Sequence, residues 1–240
     1  MKNELKVGIV VADSDEYAPI KDKIAELGAK KADFYAREGL SFEFKEKDKT
    51  VKVHIVNCGV GMVNAATVTT ALCLEGCEVI LNAGLSGGIS GISRGELMLA
   101  TDCIEHDFDL TPLGYKLCQK PGQEYLYHAD GRLLTLLENT FKGIKKGVAV
   151  SGDCFISDGN KKEFLKSEFG AMSCDMETAA IAYVCSLTDT PFASIRRISD
   201  DAGDDAKTAY TEMNSIKEAL LIDLMLDSSR ALFKEETLWI

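Results

Sequence analysis

The chain has 240 residues, 46% of them hydrophobic and 27% charged, which is enough for a substantial buried core. Its 27 Lys and Arg against 38 Asp and Glu leave a formal net charge of −11, a poor balance for binding a nucleic-acid backbone or an anionic membrane. No run of about 18 apolar residues occurs, and Met1–Glu4 leads straight into a strand-like segment; neither a bilayer span nor a signal peptide is expected, and the expected location is cytoplasmic.

In chain order, Leu5–Val11 reads as a buried strand and Tyr17–Leu27 as a helix with Ile20, Ile24 and Leu27 on one face. Val51–Asn57 is a second strand, Met62–Leu74 an Ala- and Thr-rich helix, and Val79–Ala83 a third strand. Glu96–Ile104, Gly147–Ser151, Ala171–Cys174 and Phe192–Ile198 are further strands; Glu177–Leu187 and Thr211–Phe233 read as longer helices. Continuous β-branched runs suit strands covered on both faces. Their alternation with helices predicts an α/β fold with a mostly parallel sheet. Few prolines, no low-complexity segment and no linker predict one domain over residues 1–240.

Eight cysteines are present, none in a C-x-x-C pair, and His54, His106 and His128 are scattered. Zinc sites need clustered ligands, so no metal is expected, and the cysteines read as small buried hydrophobes in a reducing compartment.

Ligands of such sheets sit beyond the strand carboxyl ends, where this sequence places glycine turns and carboxylates. Gly59-Val60-Gly61 opens a helix but lacks a third glycine; it suits a tight turn or a ligand contact equally. The Gly84–Gly88 segment lets backbone approach a ligand. No Lys or Arg lies within either turn. Glu16, Glu177 and Asp200 each follow a candidate strand. Each alone suits a solvated surface; together they suit one cleft, where carboxylates divide acid and base labour by environment. Cleavage of a glycosidic bond fits such a set. Phe155 suits either stacking on a planar base or core packing.

The segments VGIVVADSDEY, NCGVGMVNAA, NAGLSGGI, HDFDLTPLGY, SGDCFI, CDMETAAIAYVC and PFASIRRISDDA occur in order between about Lys6 and Ala209. Through them the chain resembles the nucleoside phosphorylase and nucleosidase superfamily, most closely its 5′-methylthioadenosine/S-adenosylhomocysteine nucleosidase branch. The resemblance implies a single-domain three-layer sandwich with a mixed, mostly parallel central β-sheet flanked by helices. It implies cleavage of a purine nucleoside by water without a cofactor. Glu16 falls on the residue that activates water, Asp200 on the acid that protonates purine N7, and Ser199 on the group that orients it. Glu177 falls on the ribose-hydroxyl ligand and Arg196 on a site arginine. Phe155 falls on the aromatic that stacks on adenine, and the Ile156 backbone on its Watson–Crick edge. Val60, Gly84 and Met176 fall on the substrate-binding walls. Leu110, Leu113, Tyr115, Pro121 and Tyr210 fall where the 5′-substituent is lined, Tyr210 being expected from a partner subunit, so a homodimer is implied.

The chain departs from that pattern at Asp13, where an apolar residue near the 5′ pocket is common, and at Leu113, where Phe is common; Met62, Leu85 and Arg197 are further departures. Asp13 and Leu113 therefore open the 5′ specificity to a polar group or a simple hydroxyl. Two other activities are compatible with the same scaffold. One is phosphorolysis, which needs cations where Asp13, Asp15 and Glu16 stand. The other is nucleoside binding without catalysis, since fold does not fix function.

Overall fold

The computed structural model describes residues 2–34, 37–215 and 219–239. The strands are β1 (Glu4–Val11), β2 (Lys30–Phe34), β3 (Arg37–Glu46), β4 (Lys49–Asn57), β5 (Val79–Gly88), β6 (Leu97–Glu105), β7 (Leu126–His128), β8 (Lys145–Ser151), β9 (Ala171–Asp175) and β10 (Phe192–Asp200). The helices are α1 (Ser14–Ala25), α2 (Met62–Leu74), α3 (Gly131–Thr140), α4 (Gly159–Phe169), α5 (Thr178–Leu187), α6 (Ala206–Ser215) and α7 (Ala219–Ala231). The predicted helix Thr211–Phe233 is met by α6 and α7; its residues 216–218 lie outside the described residues.

The strands form one mixed sheet built of two parallel blocks. In the first, β4, β1, β5 and β10 run side by side in that order. In the second, β6, β8 and β9 do so. The blocks meet antiparallel at both margins. The last residues of β5 pair with β9 through Gly87–Cys174 and Gly88–Ser173, and β10 pairs with β6 through Ile195–Leu99 to Arg197–Leu97. The strands β5, β10, β6, β8 and β9 thus close on themselves, and the carboxyl ends of both blocks converge. The β2–β3 hairpin extends the open side beyond β4.

Helices cover both faces. On one, Ala65, Val68 and Leu72 of α2 and Ile181, Ala182 and Cys185 of α5 pack on Val56 and Ile80. On the other, Ile20 and Ile24 of α1, Leu133 and Leu137 of α3, and Leu224 and Met225 of α7 pack on Ile9, Ile55 and Leu81. Burying each such side chain contributes about 1.5–3 kcal/mol, so both layers hold the sheet that carries the site. The three-layer α/β arrangement is the expected one. Among the described residues no helix is long and apolar enough to cross a membrane, and no group of three or more His, Cys, Asp and Glu could hold a metal.

One expectation is corrected. Gly84–Gly88 is not a turn: β5 continues through it, and all ten of its residues are buried. The glycines answer a space requirement inside the closed strands. A Cβ on Gly84 would stand 2.8 Å from the Arg196 guanidinium, and one on Gly87 would stand 3.0 Å from Cys174 Sγ. The sequence reading also lacks β2, β3, β7, α3 and α4. The strands β2 and β3 form a short hairpin with half-polar faces, and α4 buries little beyond Leu165.

Gly84→Ala should push a methyl group into the guanidinium of Arg196. Thermal unfolding should show a loss of about 1–3 kcal/mol, roughly 2–10 °C in Tm for a chain of this size. A variant as stable as the native chain would contradict this account of the glycine.

Candidate active site

The carboxyl ends of β1, β5, β8, β9 and β10 surround one open cleft. Asp13 and Glu16 enter it from β1 and the first turn of α1; Phe155 and Ile156 enter from the loop after β8. Met176 and Glu177 follow β9, while Arg196, Ser199 and Asp200 stand on β10. Val60, from the loop before α2, and Tyr210, from α6, complete the rim.

Arg196 organises the floor. It is buried, at 3% exposure. Its Nε donates to Ser86 Oγ at 2.7 Å, its Nη1 to Asn82 Oδ1 at 3.0 Å, and its Nη2 to the Leu85 carbonyl. Asp175 Oδ2 stands 3.5 Å from Nε and Glu177 Oε2 stands 4.0 Å from Nη2. Asp175 also accepts from the hydroxyls of Ser151 and Thr178 and from the amides of Glu177 and Thr178. Burial pushes its carboxyl up, but Arg196 and those hydroxyls outweigh burial and hold it below the ordinary range.

The three carboxylates singled out in the sequence share this cleft. Glu16 Oε1 accepts from the Leu85 amide at 2.8 Å. Burial, only partly offset by Arg196, raises its pKa from 4.5 to about 7. Glu177 Oε1 accepts from the Gly61 amide at 2.9 Å. Burial, reinforced by the neighbouring Asp175 charge, raises its pKa as well. Asp200 is raised chiefly by burial, against the hydrogen bond from Ser199. The Ser199 hydroxyl donates to Asp200 Oδ2 at 2.7 Å, and the Ala202 amide donates to Oδ1 at 2.8 Å. A register shift in β10 makes Ser199 an extra residue between the pairs Ile198–Ser86 and Asp200–Gly87. Such a bulge re-aims the side chains beside it.

The turn Gly59-Val60-Gly61 has its own acceptors. Gly61, at φ 102°, precedes α2. Its amide goes to Glu177, and the Met62 amide goes to Asp153 Oδ1 at 2.8 Å. Two amides that would cradle a phosphate thus already serve carboxylates.

Phe155 is 47% exposed and lines the cleft. Its ring meets Tyr210 edge-on, with centroids 5.6 Å apart. The Tyr210 hydroxyl donates to Asp13 Oδ2 at 2.8 Å.

Other expected residues fall elsewhere. Gly84 lies beneath the site, against Arg196, and does not line it. Leu110, Leu113, Tyr115 and Pro121 are not in the cleft of their own chain. Leu113 is 72% exposed, at the end of the short helix Thr111–Leu113. Tyr210, expected from a partner, is instead supplied by the same chain, because α6 follows β10 directly and returns over the cleft.

Sequence reading missed Asp175, Asn82, Ser86 and Asp153 as working parts. Asp175 had a legible signal, an Asp at a strand end two residues before a helix. Asn82 had none. It is one residue of an apolar strand, yet its Oδ1 also accepts from Ser194 and Thr178, and its Nδ2 donates to the Val10 carbonyl.

Strand ends of two blocks meeting around carboxylates and one buried arginine define a known class. The sequence profile of the phosphorylase superfamily matches residues 6–223, and the chain belongs to that superfamily. Within it, the chain is 31% identical to a 5′-methylthioadenosine/S-adenosylhomocysteine nucleosidase of Geobacillus sp. (strain WCH70), covering 96% of this chain and 100% of that one. It is 35% identical to the enzyme of the same name from Halalkalibacterium halodurans, over 86% of this chain and 90% of that one. Among solved structures, that of the 5′-methylthioadenosine/S-adenosylhomocysteine nucleosidase of Helicobacter pylori with butyl-thio-DADMe-Immucillin-A superposes with a TM-score of 0.81. It is 26% identical and covers 98% of both chains.

A buried acid whose folded pKa is raised stabilises the fold fully below its unfolded pKa and loses that contribution as pH rises through the folded value. For Glu16 the window runs from about 4.5 to about 7. Glu16→Gln should therefore raise stability at pH 8 by about 1–2 kcal/mol, discounted for partial exposure of the residue. The gain over the native chain should vanish below pH 4.5. Tm measured across pH tests this; a gain that grew toward acid pH would contradict it.

Proposed function

We propose that the protein hydrolyses the N-glycosidic bond of adenine nucleosides carrying a 5′-substituent, such as 5′-methylthioadenosine and S-adenosylhomocysteine. The observation that carries this reading is the convergence of Glu16, Glu177 and Asp200 on one cleft beside the exposed Phe155. The names of the relatives support it.

In this reading adenine stacks on Phe155 with its edge toward the Ile156 backbone. Asp200 is the acid toward purine N7, and its burial favours the protonated form. As the proton moves to N7, the bond from C1′ to N9 breaks and its electron pair leaves with neutral adenine. Positive charge develops on the ribosyl ring between carboxylates, where it is favoured. Glu177 takes the ribose hydroxyls. Glu16, with a pKa near 7, takes a proton from the attacking water while its oxygen closes on C1′. Ser199 orients Asp200, and Arg196 holds the carboxylates in place.

Water is favoured over phosphate as the nucleophile by charge. Five carboxylates, Asp13, Glu16, Asp175, Glu177 and Asp200, line the cleft with Arg196, and the amides of Gly61 and Met62 are already bonded to carboxylates. A homodimer belongs to the same reading: the exposed Leu113 and Tyr115 would close the 5′ end of a neighbour's cleft.

Purified protein should release adenine from 5′-methylthioadenosine in phosphate-free buffer. Asp200→Asn and Glu16→Gln should each lower kcat by about 10²–10⁴-fold with unchanged circular dichroism. No adenine from folded protein would sink the reading, and strict dependence on phosphate would replace hydrolysis by phosphorolysis.

Leu113→Asp should raise KM and weaken self-association, read by light scattering. Unchanged values of both would remove this loop from the substrate site.

A further inference from the structure

Asp13 follows β1 after Ala12 and caps α1. Both of its carboxylate oxygens are tethered. Oδ1 accepts from the Asp15 amide at 2.8 Å and Oδ2 accepts from the Tyr210 hydroxyl at 2.8 Å. Each oxygen of an ionised carboxylate has about two lone pairs, so one acceptor position on each remains free. The tethers fix the carboxylate on the wall of the cleft.

If the site takes a nucleoside as proposed above, its other polar groups have tasks. Asp200 and Ile156 face the base; Glu177 and Glu16 face the ribose and the water. The 5′ arm is then the one part of the substrate without a polar partner. Ser86, Asp175 and Arg196 are engaged with one another, and Ser199 with Asp200, which leaves Asp13 and Tyr210 as the polar pair of the wall without a substrate atom. The pair stands beside the base-stacking ring, since Tyr210 touches Phe155 edge-on at 5.6 Å.

We infer that the tethered Asp13 carboxylate, held by Tyr210, selects adenine nucleosides whose 5′ group donates a hydrogen bond, a hydroxyl or a protonated amine, over those ending in a thioether. This rests on the nucleosidase reading and deepens it. An O–H or N–H donated to a carboxylate is charge-assisted and strong. A thioether sulfur donates nothing and accepts only weakly. Seating it against Asp13 strips water from the carboxylate and returns no bond, and leaving such a group unsatisfied is costly.

The test is kcat/KM for adenine release from adenosine, 5′-amino-5′-deoxyadenosine and 5′-methylthioadenosine, by the native protein and by Asp13→Met and Asp13→Asn. The native protein should favour both donors over the thioether by about 10–100-fold. Asp13→Met should invert that order. Asp13→Asn keeps an oxygen for the helix cap and removes the charge. It should keep part of the preference for the hydroxyl and lose that for the amine, which separates the two donor classes. Ratios between substrates cancel any general loss from a disturbed α1, and the Asn variant stands if the Met variant does not fold. A native preference for the thioether, or ratios that neither substitution moves, overturns the inference while the nucleosidase reading stands. Adenine from none of the three nucleosides overturns that reading, and the inference with it.

Discussion

The burial of one guanidinium sets the terms for the rest of the molecule. Arg196 lies inside the closed strands at 3% exposure, where an uncompensated charge is expensive. Its compensation comes from every side. Asn82 and Ser86 of β5 take its hydrogen bonds, Asp175 and Glu177 supply countercharge from β9 and beyond, and Gly84 withholds a side chain so that the group fits. These partners span both parallel blocks. The arginine therefore ties together the two halves whose strand ends make the cleft.

One cation cannot satisfy five carboxylates, and the shortfall is where the chemistry arises. Asp175 has the hydrogen bonds and stays ionised below its usual range, while Glu16, Glu177 and Asp200 are all pushed upward by burial. Groups of one type are thus driven apart by environment, the pattern that separates acids from bases in a site. The surplus of negative charge also has a sign that suits the proposed reaction. It stabilises a cationic ribosyl centre and opposes a phosphate dianion.

Much of this was legible in the sequence, because buried parallel strands announce themselves as β-branched runs and their ends locate the site. Glu16, Glu177 and Asp200 were found that way, and all three line the cleft. What stayed hidden depends on contacts across the sheet. Gly84 reads as a turn until the guanidinium opposite it is seen. Asn82 reads as one polar residue in an apolar strand, and only the packing of β10 and α5 against β5 makes it a hub. The hairpin β2–β3 escaped because its exposed faces mix charge with apolar residues. Leu113 and Tyr115 were expected in the substrate pocket, but both are exposed and neither lines the cleft of its own chain. Tyr210 went the other way, placed by the short connection from β10 to α6.

The closure of β5, β10, β6, β8 and β9 on themselves has a consequence for how this protein comes apart. Each of these strands is paired on both sides with others of the ring, so none is a free edge from which local fraying can begin. The floor of the cleft, with Ser86, Asp175, Arg196 and Asp200, is carried by β5, β9 and β10, on both sides of the Gly87–Cys174 seam. Amides along that seam should exchange with solvent only through cooperative opening of the ring. The floor of the cleft is then not a local feature laid on a scaffold but a property of the whole ring.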